Sequence, residues 1–143
     1  MHNAICQAVA DFLGGLSTTP SFTAARIDTP FFDRDGTPAV EVWVFPGNRT
    51  ITQATRTSVE KDFEVYVELV KKQVPHSDAT ARLAEVDSLV LLMEEIETAL
   101  MQNPEMSGAT LNPQEAIEVP VFVPEELVAG HTFKSQIVLR YKR

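Results

Sequence analysis

Cysteine is nearly absent: Cys6 stands alone, which excludes an intrachain disulfide and leaves the fold to be held by its core. Histidine is scarce as well. His2, His76 and His131 fall in a terminus or in loops, none at metal-ligand spacing from another ligand. A His-x-x-x-His or Cys-x-x-Cys pair is missing, so no zinc site of familiar pattern is expected. No run approaches the ~18 uninterrupted apolar residues of a membrane span. Met1-His2-Asn3 lacks the basic start and apolar stretch of a secretion signal. These absences predict a soluble chain in a reducing compartment, with no membrane partner. Positive charge is also in deficit, 12 basic residues against 20 acidic ones for a net charge of −8. Proteins that grip nucleic acid carry the opposite balance, because cations must replace the phosphate counterions. An acidic surface instead lets DNA pass close by without sticking.

What is present is a pattern of amphipathic elements over 143 residues, a length suited to a single domain, 1–143. Ile5, Ala8, Val9, Phe12, Leu13 and Leu16 recur at three- and four-residue spacing, which predicts a helix over about Asn3–Leu13. Gly14-Gly15 ends it through a left-handed cap. Phe22–Ile27 fits a short strand, and Asp35-Gly36 marks a turn. Val40, Val42 and Val44 alternate with Glu41, Trp43 and Phe45 as a strand that Pro46-Gly47-Asn48 closes. Residues 46–58 then read as an extended loop or arm, or as the extension of a hairpin.

The clearest strand follows. Phe63, Val65, Val67 and Leu69 take one face, while Glu60, Asp62, Glu64, Tyr66 and Glu68 take the other. A long helix spans about Ala79–Gln102, capped by Ser77 or Asp78, with Val86, Leu89, Val90, Met93, Ile96 and Leu100 as its apolar stripe. Leu91 lies opposite that stripe. Ser107-Gly108 starts a return. Ile117, Val119 and Val121 alternate, but Pro113, Pro120 and Pro124 confine that stretch to an edge or an irregular path. The last strand, Phe133–Tyr141, sends Phe133, Ile137, Leu139 and Tyr141 one way and Lys134, Gln136, Val138, Arg140 and Lys142 the other. The fold class is therefore α+β: a mixed or antiparallel sheet with an N-terminal helix and one long helix packed on it.

Catalytic chemistry needs convergent groups with tuned protonation. Cys6 flanks an apolar helix face with no adjacent histidine, which fits a small buried hydrophobe better than a nucleophile. Asp33-x-Asp35-Gly36 fails as a calcium loop, because Phe31 and Val42 occupy two ligand positions. Neither Gly14-Gly15 nor Gly47 opens a helix with the lysine of a phosphate cradle. Trp43, Tyr66 and His131 are the aromatic and polar residues best suited to a ligand pocket, and Leu91 is the residue best suited to a partner helix. No catalytic residue, metal ligand or cofactor is expected. The carboxylates Glu60, Asp62, Glu64 and Glu68 instead read as a solvated strand face, complementary to the cations Lys134, Arg140 and Lys142. If the two strands are neighbours, within a subunit or across an interface, opposite charges contribute about 0.2–1 kcal/mol per pair, enough to set register and partner choice.

Several segments are similar to one family. They are Lys61-Asp62-Phe63-Glu64-Val65-Tyr66-Val67, the helix Leu83-Ala84-Glu85-Val86-Asp87-Ser88-Leu89-Val90, Glu94-Glu95-Ile96, and the ending Phe133-Lys134-Ser135-Gln136-Ile137-Val138-Leu139-Arg140-Tyr141. Together they resemble the tail-terminator and tail-completion (head–tail joining, neck) proteins of tailed bacteriophages. The resemblance covers 60–143, and before that only the order of elements. It implies a virion protein, assembled in the host cytoplasm. It would form a homo-oligomeric ring, commonly a hexamer, on the head-proximal end of the tail tube. Its partners would be the major tail tube protein and a head-closure or neck protein, with DNA passing through the channel unbound. Ring closure needs two different complementary patches on each subunit. The acidic strand face, the basic strand face, and Arg49 and Arg56 on the 46–58 arm are the candidate interface residues. A head-side neck or minor capsid connector is the alternative of the same class. A ligand-binding module, or an enzyme with an unrecognised pocket, is the alternative of another. On the interface reading, reversing the charges of Lys134, Arg140 and Lys142 should disrupt assembly, read by light scattering, more than folding, read by thermal melting.

Overall fold

The computed structural model describes residues 1–28, 39–72, 74–75, 77–112, 124, 127 and 131–143. Its elements are α1 (His2–Gly14), β1 (Thr23–Arg26), β2 (Val40–Gln53), β3 (Val59–Lys71), α2 (Ala79–Gln102), β4 (Glu105–Met106), β5 (Ala109–Leu111) and β6 (Phe133–Lys142). The strands form one sheet in the order β1-β2-β3-β6-β5-β4. The β1–β2 pair is parallel and the other described pairs are antiparallel, so the sheet is mixed. This is the α+β arrangement that the hydrophobic pattern implies. The turn at Asp35-Gly36, His76 and the alternation at 117–121 lie outside the described residues.

Strand β3 sits between β2 and β6 and sets the register of both. Its Phe63, Val65, Val67 and Leu69 are buried and face Tyr141, Leu139, Ile137 and Ser135 across the β6 ladder. On the other side Leu69 and Val67 face Val42 and Val44 of β2. Onto this face α1 lowers Ile5, Cys6, Val9, Ala10 and Leu13, and α2 lowers Val86, Leu89, Leu92, Met93, Ile96 and Leu100. All of these side chains join one hydrophobic cluster, so both helices cover the same side of the sheet. Helix α1 lies mainly against β1 and β2, and α2 against β6. Each fully buried aliphatic side chain contributes roughly 1.5–3 kcal/mol. A one-residue slip of β3 would put Asp62, Glu64, Tyr66 and Glu68 in place of Phe63, Val65, Val67 and Leu69, burying three carboxylates, which fixes its register.

The bounds of α2 are those read from the sequence. Asp78 is its cap, with Oδ1 accepting from the amides of Thr80 at 3.0 Å and Ala81 at 3.3 Å. Leu92 joins the buried stripe, which is broader than its predicted set, while Leu91 stands exposed as expected. Lys71 of β3 and Glu85 of α2 form an ion pair that ties the sheet to the helix. At the end of α1 the expectation of a left-handed cap is corrected. Gly15 has φ −89° and remains right-handed, its amide reaching the carbonyl of Phe12. Left-handed residues occur instead at Ser107 (φ 51°) and Gly108 (φ 80°), the two central residues of the β4–β5 hairpin.

The larger correction concerns the expected end of the strand at Pro46-Gly47-Asn48. Pro46-Gly47-Asn48 does not end β2 but forms a bulge, after which the strand resumes and pairs from Arg49–Phe63 to Gln53–Val59. Proline is tolerated here because β2 is an edge beyond the reach of β1, and bulges absorb its missing amide. The tip, residues 54–58, closes through the amide of Ala54 on the carbonyl of Ser58 at 3.1 Å. Thr55 Oγ1 accepts there from the amides of Thr57 and Ser58. Of the two readings of this segment, an extended arm or the extension of a hairpin, the structure shows the hairpin.

Cys6 is fully buried, as expected, and burial pushes its thiol up to about 11, against a weaker opposing pull from Arg26. Because the folded pKa lies above the unfolded value of 9.0, the thiol ionises more readily in the unfolded chain. Stability from this group is fully present below pH 9 and is lost as pH rises towards 11. The total loss is on the order of 2 kcal/mol. Urea unfolding at stepped pH should show this decline in the native chain, and Cys6→Ala should flatten it between pH 9 and 10.

Candidate functional site

The second face of the sheet carries the charged residues singled out from the sequence. Strands β3 and β6 are direct neighbours, so the acidic and basic rows that could have been two separate patches lie side by side within one subunit. Glu64 stands opposite Arg140, and Asp62 opposite Lys142. Arg140 Nη2 donates to Glu64 Oε1 at 3.2 Å. Lys134 Nζ lies 3.0 Å from Glu68 Oε1, an ion pair by distance but not an aligned hydrogen bond. Much of the complementarity is thus satisfied internally.

Exposure along β3 runs in a gradient. Val70 and Glu68 are each only 1% exposed, Tyr66, Glu64 and Asp62 are half-buried, and Glu60 is open to solvent. The expectation of a uniformly solvated carboxylate row therefore fails at Glu68. Trp43, its register partner on β2, is half-buried on the same face, and Phe45 is buried. An ionised carboxylate so enclosed is sustained by its cation, since burial of a lone charge costs several kcal/mol.

Glu64 has a role that alternation alone did not reveal. Its Oε2 accepts from the Asn48 amide in the bulge at 3.2 Å and from the Tyr66 hydroxyl at 3.3 Å, while Oε1 holds Arg140. The Tyr66 ring packs on Phe45, with centroids 5.3 Å apart, and lies directly over Gly47. A Cβ at Gly47 would come within 2.5 Å of that ring and 3.0 Å of Glu64 Cβ, so the bulge needs glycine. Burial raises the Tyr66 pKa, and the charge of Glu64 and its hydrogen bond raise it further. His2 Nε2 donates to the Glu64 carbonyl at 2.7 Å, anchoring the start of α1 on β3. The signal available for this cluster was a Pro-Gly-Asn inside a strand pattern, which marks a bulge as readily as an end.

The remaining candidates lie elsewhere. Arg49 is exposed beside the bulge, and Arg56 is exposed at the hairpin tip. His131 precedes β6 with φ 51°, its carbonyl accepting from Val74 at 2.8 Å. A recess of about 540 Å³ lies between Leu16–Thr19, Ser21 and α2, with Glu95 the one titratable residue among its described lining. Among the described residues no group of three or more His, Cys, Asp or Glu is placed to hold a metal ion, and no helix is long and apolar enough to cross a membrane.

The position of Lys134 and Arg140 alters what charge reversal should do. Lys134→Glu should lower stability by about 2–3 kcal/mol in urea unfolding, because it strands Glu68 beside a like charge. Combining it with Glu68→Lys should recover at least half of the loss. No recovery in the swapped pair would show that the contact is not the source of the effect. No protein-family model matches the chain, and no curated protein matches its sequence.

Proposed function

We propose that the chain is a structural subunit of a tailed-phage virion. It would form a homo-oligomeric ring at the head-proximal end of the tail tube, ending tube growth and joining tail to head. The observation that carries the reading is architectural. A helix opens the chain, a mixed sheet follows, a long helix packs on the sheet, and an aromatic and basic strand closes it. That is the element order the resemblance implies, carried by its segments over 60–143 and before that by the order of elements alone.

Two further features are consistent with a role in assembly. The outer half of the β2–β3 hairpin is solvent-exposed along both strands from Asn48 to Lys61. A two-stranded ribbon is marginal alone, and in a complex it gains by lying against a neighbour. The chain also carries net charge −8, which suits a channel that DNA traverses without adhering.

The reading is tested by adding the purified chain to polymerising tail-tube protein and imaging by negative stain. Tubes capped at one end and shortened in proportion to added chain are expected. Unaltered tube lengths with no bound density, or a turnover activity abolished by one polar substitution, would defeat it.

A further inference from the structure

Six large apolar side chains of the described residues are strongly exposed, and they fall into two groups. Met1, Ile51 and Val59 lie where the hairpin leaves the sheet, and Leu83, Leu91 and Met101 lie on α2. Their exposures range from 41% to 64%. Isolated exposed apolar residues need no explanation, but two groups with opposite electrical surroundings do.

The hairpin group is basic. Ile51 pairs with Lys61, Gln53 with Val59 and Arg49 with Phe63, so these side chains share the helix side of the sheet, beyond the start of α1. Arg143 continues the same face next to Lys61, with the two backbones bonded at 3.0 and 3.2 Å. Its guanidinium lies 3.6 Å from Met1 Sδ. Met1, Val59, Lys61 and Arg143 line one recess of about 410 Å³. Glu60, the acid of this segment, belongs to the other face, opposite Thr52.

The helix group is acidic. At 100° per residue, Leu83, Leu91 and Met101 fall within an arc of about 80° that also holds Asp87 and Glu94, with Glu97 beside it. All six are exposed. The whole of α2 has five acids against one cation, Arg82. This face is the reverse of the one that carries Val86, Leu89 and Ile96 into the core.

We infer that these two surfaces are the halves of one heterologous contact: the basic hairpin ledge of one copy of this chain seats on the acidic outer face of α2 in the next. Charge complementarity selects a second copy over other occupants. Both the cations and the acids that match them, each set around exposed aliphatic side chains, are on the same polypeptide. Two unlike patches per subunit propagate head to tail and close into a ring when the rotation permits. Helix α2 offers a strip about 36 Å long. At a helix width of about 10 Å the strip presents roughly 360 Å², less than the roughly 800 Å² per partner of a standard interface, so the contact is weak between pairs and gains from ring closure. The inference deepens the assembly half of the function proposed above and is independent of any tail.

Sedimentation equilibrium on the whole chain tests it with two variants. Ile51→Glu/Lys61→Glu spoils the hairpin ledge, and Leu91→Lys/Glu94→Lys spoils the helix face. All four positions are exposed, and circular dichroism melting verifies that each variant folds. Each variant alone should be monomeric, with self-association weakened roughly tenfold or more. Mixed one to one they should form a dimer and stop there, since one intact patch remains on each. Carbodiimide coupling of the native chain should join Lys61 to Asp87 or Glu94 between isotopically distinct copies, a readout that needs no variant. Assembly unchanged in either variant would overturn the inference and leave the tail reading standing. So would two monomeric variants that ignore each other, absence of the intermolecular crosslink, or a hairpin ledge that binds duplex DNA while the chain stays solitary. Assembly through these faces with no affinity for tubes would do the opposite, sparing the contact and defeating the tail reading.

Discussion

The antiparallel pairing of β3 with β6 is the constraint from which the remainder of the molecule follows. One ladder, from Asp62–Lys142 to Lys71–Phe133, fixes two surfaces at once. Its inner side presents Phe63, Val65, Val67, Leu69, Leu139 and Tyr141 to both helices. Its outer side brings Glu64 to Arg140 and Glu68 to Lys134. Because side chains alternate with period two, a one-residue slip fails on both surfaces, while a two-residue slip keeps the apolar face but breaks the charge pairs. The apolar burial supplies most of the stabilising free energy. The charge pairs raise the cost of the wrong alignments, and the two requirements reinforce each other.

The same alternation explains how much of the fold is legible in the sequence. In β3 and β6 both faces are strongly contrasted, so strand, orientation and inward residues were all legible. Helix α2 was equally clear, because a capping Asp78 and a periodic stripe mark its beginning and its buried side. The limits are physical as well. Pro46-Gly47-Asn48 is the composition of a strand end and also of a bulge. What decides between them is whether the chain beyond can pair with β3, a contact between distant parts of the sequence. Glu68 looked like a solvated acid because its burial depends on which face is covered, which local pattern does not encode.

Of the candidate surface residues, the sequence identified the charges and left open whether they meet within a subunit or across an interface. Lys134 and Arg140 meet their partners within the subunit, so they act first on the fold. Arg49, by contrast, stays on the exposed hairpin among the apolar residues Ile51 and Val59. The difference follows from where strands end. Past the contact of Arg143 with Lys61, β3 pairs with β2 alone among the described residues, and the side chains of that ribbon are exposed.

The bulge at Gly47 also bears on what the ribbon avoids. A long flat edge strand is a template on which further chains add without limit, giving fibrous precipitates. The extra residue at 47–48, where Gly47 and Asn48 oppose Glu64, interrupts the β2 edge, and a bulge sharpens the local twist, so the edge cannot offer a straight row of free amides and carbonyls to an incoming strand. An exposed ribbon that is sticky through its side chains yet unattractive through its backbone can meet a shaped neighbour while the protein stays in solution at high concentration.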